Sequence, residues 1–207
     1  MPVSWSDVLA GLPLVAVLRG VTPAEAVEVA AALYDGGIRC VEVTLNSPRP
    51  LASIAAIRDR FDGVLMVGAG TVLRSHEVGE AAAAGAQIIV SPNMDPAVIG
   101  AAKTAGLTSL PGVFTPSEAF AALAAGADAL KLFPAEALAP AALAALLVVL
   151  PPGTSVLPVG GIEPAGMARW RLAGAVGFGI GGSLFKAGRH PDEVRERARA
   201  FAAAWAA

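Results

Sequence analysis

Eight short apolar runs alternate with alanine-rich segments along this chain, and that rhythm restricts the fold more than any other feature. The runs lie at 14–18, 40–45, 64–68, 87–91, 108–110, 129–133, 156–159 and 176–180. Each is the length of a buried strand, and apolar residues on both faces suit a parallel sheet covered by helices. Several intervening segments open on helix-start signals: Thr22-Pro23-Ala24-Glu25, Ser75-His76-Glu77, Asp95-Pro96, Thr115-Pro116-Ser117-Glu118 and Glu163-Pro164. Proline in a first helical turn loses only a donor that has no partner there, and a preceding Thr or Asp can cap. Gly36-Gly37, Gly85, Gly106, Gly126 and Gly174 stand where left-handed caps would end the helices. Eight strand–helix units predict a compact (β/α)8 barrel formed by one domain over 1–207, with an extra helix near 6–11 across its bottom. The alternative, an open doubly wound sheet, normally carries a glycine-rich dinucleotide loop after its first strand. Here that strand ends in Leu18-Arg19-Gly20-Val21-Thr22, which lacks the pattern.

Composition narrows the partners. A formal charge of −2 offers neither nucleic acid nor anionic membrane a basic field, so a small metabolite is expected. Cys40 is the only cysteine, which fits a reducing compartment and excludes a cysteine-based metal cluster. His76 and His190 are far apart, each beside a helix start, and read as surface or capping residues rather than zinc ligands. The N-terminus has no signal-like start, and no apolar run is long enough to span a bilayer. A cytoplasmic protein is expected.

Of three lysines in the chain, Lys131 interrupts the apolar run Ala129-Leu130-Lys131-Leu132-Phe133-Pro134. A buried ammonium is costly, and desolvation favours the neutral amine, which attacks carbonyl carbon. Strand parity supplies a partner. In Val41-Glu42-Val43-Thr44-Leu45 the aliphatic residues face the helices, so Glu42 and Thr44 point inward, as Lys131 does in the sixth run. A buried ion pair is a weak source of stability, whereas an amine beside a carboxyl group is what imine chemistry needs.

Other residues read as binding elements. Val159-Gly160-Gly161 and Gly181-Gly182-Ser183 close the seventh and eighth runs, where barrels commonly hold phosphate on backbone amides. Gly68-Ala69-Gly70-Thr71 offers amides and a hydroxyl, Ser91-Pro92-Asn93 a stiff wall, and Arg19 a fork for a carboxylate. Lys103 and Lys186 read as solvated, with Lys186 near enough to a phosphate loop to assist it.

These motifs resemble the 2-keto-3-deoxy-6-phosphosugar aldolases across nearly the whole chain, from Pro13 to about Gly188. The resemblance rests on Val41-Glu42-Val43-Thr44-Leu45, Val67-Gly68-Ala69-Gly70-Thr71-Val72-Leu73, Ile89-Val90-Ser91-Pro92, Leu110-Pro111-Gly112, Leu130-Lys131-Leu132-Phe133-Pro134-Ala135-Glu136 and Val159-Gly160-Gly161-Ile162. It implies a metal-free and cofactor-free lyase with Lys131 as the imine-forming lysine and Glu42 as the acid and base. Thr71 and Pro92 would form the pyruvyl pocket, and Phe133 would lie beside the imine. Gly160, Gly161, Gly182 and Ser183 would hold the phosphate of a phosphorylated 2-keto-3-deoxy sugar acid. A homotrimer is implied too, and Trp170 and Leu172 are candidates for its interface or for helix packing. In the gluconate branch an arginine usually stands where this chain has Asn46, and a threonine where it has Val159. Asn46, Val159 and the alternative carboxylate grip of Arg19 resemble the galactonate branch. A 2-dehydro-3-deoxy-6-phosphogluconate or 4-hydroxy-2-oxoglutarate aldolase is the second choice. A phosphosugar isomerase or synthase using Glu42 as base, and a non-catalytic phosphosugar sensor, are the readings outside that chemistry.

Overall fold

The computed structural model describes residues 3–207. A short helix α1 (Trp5–Ala10) precedes β1 (Leu14–Leu18). Strands and helices then alternate: α2 (Pro23–Asp35), β2 (Cys40–Thr44), α3 (Pro50–Arg60), β3 (Met66–Gly70), α4 (Ser75–Ala83), β4 (Ile88–Val90) and α5 (Pro96–Thr104). The fifth strand is split at Pro111 into β5 (Thr108–Leu110) and β6 (Gly112–Val113), followed by α6 (Pro116–Ala124). β7 (Leu130–Leu132), α7 (Pro140–Val149), β8 (Val156–Pro158), α8 (Met167–Leu172), β9 (Phe178–Ile180) and α9 (Pro191–Ala206) complete the order.

All strand pairs are parallel. Six strands form a sheet in the order β5-β4-β3-β2-β1-β9, and β6-β7-β8 form a second. The last strand lies beside the first, unlike the order of a doubly wound sheet. One seam between the sheets is the split fifth strand. At the other, Val159 bridges Gly179, and the Val176 amide donates to the Val156 carbonyl at 3.2 Å. As hydrogen-bonded ladders, then, there are two sheets where the sequence led us to expect one ring. Pro111 has no N–H to give, which accounts for the break in its strand.

Side chains separate by strand parity. Val41, Val43, Leu130 and Leu132 join the large core beneath the helices. Val15, Cys40, Met66, Ile88, Val90, Leu110, Ala129 and Leu157 form a second, inner core. Val8 of α1 is buried in that inner core and Trp5 packs on it, so α1 covers its floor as expected. Capping follows the sequence closely. Thr115 accepts from the Glu118 amide, and Gly37, Gly85, Gly106, Gly126 and Gly174 have positive φ. His190 is the N-cap of α9, its Nδ1 accepting from the Asp192 amide.

Two expectations need correction. The third strand runs two residues later than 64–68, because residues 61–64 turn after α3 and leave Val64 exposed. The eighth starts at Phe178 rather than 176. Trp170 is buried, so helix packing accounts for it, while Leu172 is 90% exposed.

Candidate active site

A cleft of about 670 Å³ opens where β1, β7, β8 and β9 end. Lys131 and Phe133 line its middle, Arg19 one side, and Val159, Gly160, Gly161, Gly182 and Ser183 the other. Below it Lys131 and Glu42 line the same small internal cavity, walled by Val15, Val17, Val90, Leu110, Leu157, Val159 and Gly179. At about 10 Å³ it has room for about one water.

Lys131 is 6% exposed and Glu42 1%. Burial holds the Lys131 amine below the usual lysine range. The charge of Glu42 opposes this shift and that of Arg19 adds to it. Burial likewise raises the Glu42 carboxyl above its usual range, against the pull of Lys131 and Arg19. Both shifts favour an uncharged pair, with a lone pair on the amine and a proton on the acid. Glu42 Oε2 is buried with no hydrogen bond to the protein. The Lys131 Nζ lies 5.0 Å from the Phe133 ring centroid, a distance at which a cationic nitrogen is attracted to an aromatic face.

Two glycines shape the floor. Thr44 pairs with Gly70 across β2 and β3. A Cβ at Gly70 would lie 2.6 Å from Glu42 Oε2, so glycine there makes room for the buried carboxylate. Gly160 has φ +107, and a Cβ on it would overlap the Glu136 carboxylate.

Arg19 is held in place on its side of the cleft. Its Nη1 donates to Asn46 Oδ1 at 2.8 Å and its Nη2 to Thr71 Oγ1 at 3.3 Å. Thr71 has φ +57, a conformation unusual for a β-branched residue. Strain of this kind is stored where a side chain must be aimed. Ser47, not selected from the sequence, is buried and ties the ends of β1 and β2. It accepts from the Gly20 amide at 2.9 Å, donates to the Leu18 carbonyl at 3.3 Å and lies 3.0 Å from Thr44 Oγ1.

Across the cleft, Ser183 Oγ donates to the Ile162 carbonyl at 2.7 Å and joins the two glycine loops. With that proton engaged, Ser183 offers an anion its backbone amide rather than its hydroxyl. Lys186, Arg189 and Arg197 also line this side. The two arginines were missed because Arg197, four residues after Glu193 on α9, looks like an ordinary surface pair, and Arg189, in the loop before that helix, carries no spacing signal. Pro92 stands apart from the cleft lining. The carbonyl of Pro92 packs where a Cβ on Gly112 would be, making the turn after β4 a wall for the fifth strand. Among the described residues, no group of three or more His, Cys, Asp or Glu is placed to hold a metal ion.

The model of the KDPG and KHG aldolase family matches residues 6–195. The chain belongs to that family. This aldolase is 44% identical to the 2-dehydro-3-deoxy-6-phosphogalactonate aldolase of Escherichia coli K12, over 94% of its own length and 95% of that protein's. A solved native KDPGal structure superposes with a TM-score of 0.93 at 44% identity, covering 94% of this aldolase and 95% of that chain. The KDPG aldolase of Legionella pneumophila, solved with pyruvate captured as a covalent carbinolamine, is 25% identical. Its TM-score is 0.83, with 96% of this chain and 98% of that one covered. No helix of the described residues is long and apolar enough to cross a membrane.

Proposed function

We propose that this aldolase reversibly cleaves 2-dehydro-3-deoxy-6-phospho-D-galactonate to pyruvate and D-glyceraldehyde 3-phosphate. Lys131 and Glu42 facing one small cavity beneath the cleft carry the reading. The cleft also suits a substrate with two anionic ends, having Arg19 on one side and Lys186, Arg189 and Arg197 on the other.

The neutral Lys131 amine attacks carbon 2 of the keto acid. Glu42, whose burial favours its protonated form, gives its proton to the carbinolamine hydroxyl, which departs as water and leaves a protonated imine beside the Glu42 carboxylate. The Glu42 carboxylate then takes the proton from the carbon-4 hydroxyl, directly or through one water. The bond between carbons 3 and 4 breaks, its electron pair passing into the imine to give an enamine. Glyceraldehyde 3-phosphate leaves, carbon 3 is protonated, and water hydrolyses the imine to release pyruvate and restore Lys131. Phe133 packs against the imine. Arg19, aimed by Asn46 and Thr71, grips the carboxylate, Gly70 leaves space for Glu42, and Pro92 acts only indirectly, by bracing the fifth strand at Gly112. Gly160, Gly161, Gly182 and Ser183 receive the phosphate on backbone amides.

Val159 supports the galactonate epimer, since an aliphatic wall offers no hydrogen bond to the carbon-4 hydroxyl of the gluconate form. Such walls discriminate only modestly, so some turnover of the gluconate epimer accompanies this reading. Comparing kcat/KM on the two epimers tests it, and a clear gluconate preference would reverse the assignment. No metal or cofactor takes part in the steps above.

In the same reading the two sheets are halves of one (β/α)8 barrel, supported by the Val159–Gly179 bridge, and residues 1–207 form one catalytic domain. The protein works in the cytoplasm as a homotrimer. Val148 and Leu172, apolar and largely exposed on α7 and α8, provide surface for association, and light scattering measures its stoichiometry.

A further inference from the structure

Arg189 and Arg197 line the phosphate side of the cleft, yet their forks are directed at the main chain behind it. Arg189 Nη1 donates to the carbonyls of Gly182 at 3.3 Å and Ser183 at 3.5 Å. Arg197 Nη1 donates to the Ser183 carbonyl at 3.0 Å. Both arginines also meet one carboxylate oxygen. Arg197 Nε donates to Glu193 Oε1 at 2.9 Å, and Arg189 Nε lies 3.1 Å from the same atom. Exposed ion pairs add little to stability, and the Glu193 side chain is 47% exposed, so stability is a poor explanation of this arrangement.

Peptide geometry suggests a better one. In a planar trans peptide the carbonyl of one residue points opposite to the amide of the next. Fixing the Gly182 carbonyl on the arginine side therefore fixes the Ser183 amide on the other. Gly181 O accepts from the Leu184 amide at 2.8 Å and the Phe185 amide at 2.9 Å. The Gly182 and Ser183 amides thus precede the turn's own hydrogen bonds, as the first amides of a helix do. A cationic donor on a carbonyl also polarises that peptide and strengthens its N–H as a donor.

We infer that Arg189, Glu193 and Arg197 are positioning residues for the phosphate, holding the carbonyls of the Gly182–Ser183 turn so that its amides face the anion. Glu193 fixes the angle of both forks, and α9 thereby becomes part of the phosphate site. This inference rests on the proposed phosphosugar reaction.

The test measures kcat/KM on the phosphorylated substrate and on the same keto acid without its phosphate. Arg189→Gln and Arg197→Gln should each lower the ratio of the two by about 10-fold, the worth of one charge-assisted hydrogen bond, chiefly through KM. Glu193→Gln should lower it by less. Arg197→Lys keeps the charge but loses the fork, so it too should lower the ratio; this variant serves if Arg197→Gln does not fold. Borohydride trapping of pyruvate, which needs no phosphate, shows that each variant retains its fold. Equal losses on both substrates, an unchanged ratio, or a wild-type ratio in Arg197→Lys beside an impaired Arg197→Gln would each overturn the positioning role. Failure of the wild type to trap pyruvate or to prefer the phosphorylated substrate would instead sink the underlying reaction, so the two failures are distinguishable.

Discussion

Gly70→Ala is the smallest change expected to separate the acid from the amine. The φ of Gly70 lies outside the left-handed region, so alanine meets no backbone penalty there. The obstacle is the Glu42 carboxylate: the new Cβ would lie 2.6 Å from Oε2, 2.7 Å from Cδ and 3.1 Å from Oε1. Comfortable carbon–oxygen contact begins near about 3.3 Å, so the carboxylate must retreat by about 0.7 Å. Glu42 is fully buried between paired strands, and its escape is restricted. Overpacking of this kind costs about 1–3 kcal/mol, offset by about 0.4–1 kcal/mol from the stiffer unfolded chain. The net loss, about 0–2.6 kcal/mol, corresponds to a fall in Tm of up to about 10 °C for a chain of this length. Displacing an acid/base group by nearly 1 Å should lower kcat by about 10²-fold, whereas the route to Lys131 stays open. Differential scanning calorimetry reads the first effect, and pyruvate release coupled to lactate dehydrogenase the second. Wild-type kcat and Tm in Gly70→Ala would refute the claim that this glycine exists to seat Glu42.

Lys131→Met should abolish turnover in the coupled pyruvate-release assay, because no amine remains to attack the keto carbon; turnover at the wild-type rate would contradict the imine. The pH dependence of pyruvate trapping should place the amine's titration well below the usual lysine range. Since the charge of Arg19 lowers the Lys131 pKa, Arg19→Met should move the acid limb to higher pH; a limb moving the other way would contradict the electrostatics. Asn46→Ala, which frees one arm of Arg19, should raise KM by roughly 3- to 10-fold with little change in kcat, one hydrogen bond's worth. Val159→Thr should improve kcat/KM on the gluconate epimer relative to the galactonate one, read by the same coupled assay.

Strand parity made the centre of this site legible. Two-residue periodicity is enforced by packing, so Glu42 and Lys131 had to point inward once their aliphatic neighbours pointed out. The glycine loops and helix caps were legible for a related reason, since positive φ selects for glycine. The third strand was ended too early because Gly70 resembles a loop residue, although it pairs in the sheet with Thr44 of β2. Pro111 hid the continuation of its strand for want of an amide. Asn46 read in the sequence as a marker of the galactonate branch, standing where the gluconate branch has an arginine. Its hydrogen bond to Arg19 depends on two strand ends meeting, a relation that spacing does not encode. The same is true of Ser47, of Arg197 on α9 and of Arg189 just before that helix, whose partners are main-chain carbonyls in another segment.

The most direct test is reduction with borohydride in the presence of pyruvate, followed by peptide mass mapping. One reduced pyruvyl group is expected, located on Lys131 and lost in Lys131→Met. Label on another residue, or equal labelling of Lys131→Met, would contradict it.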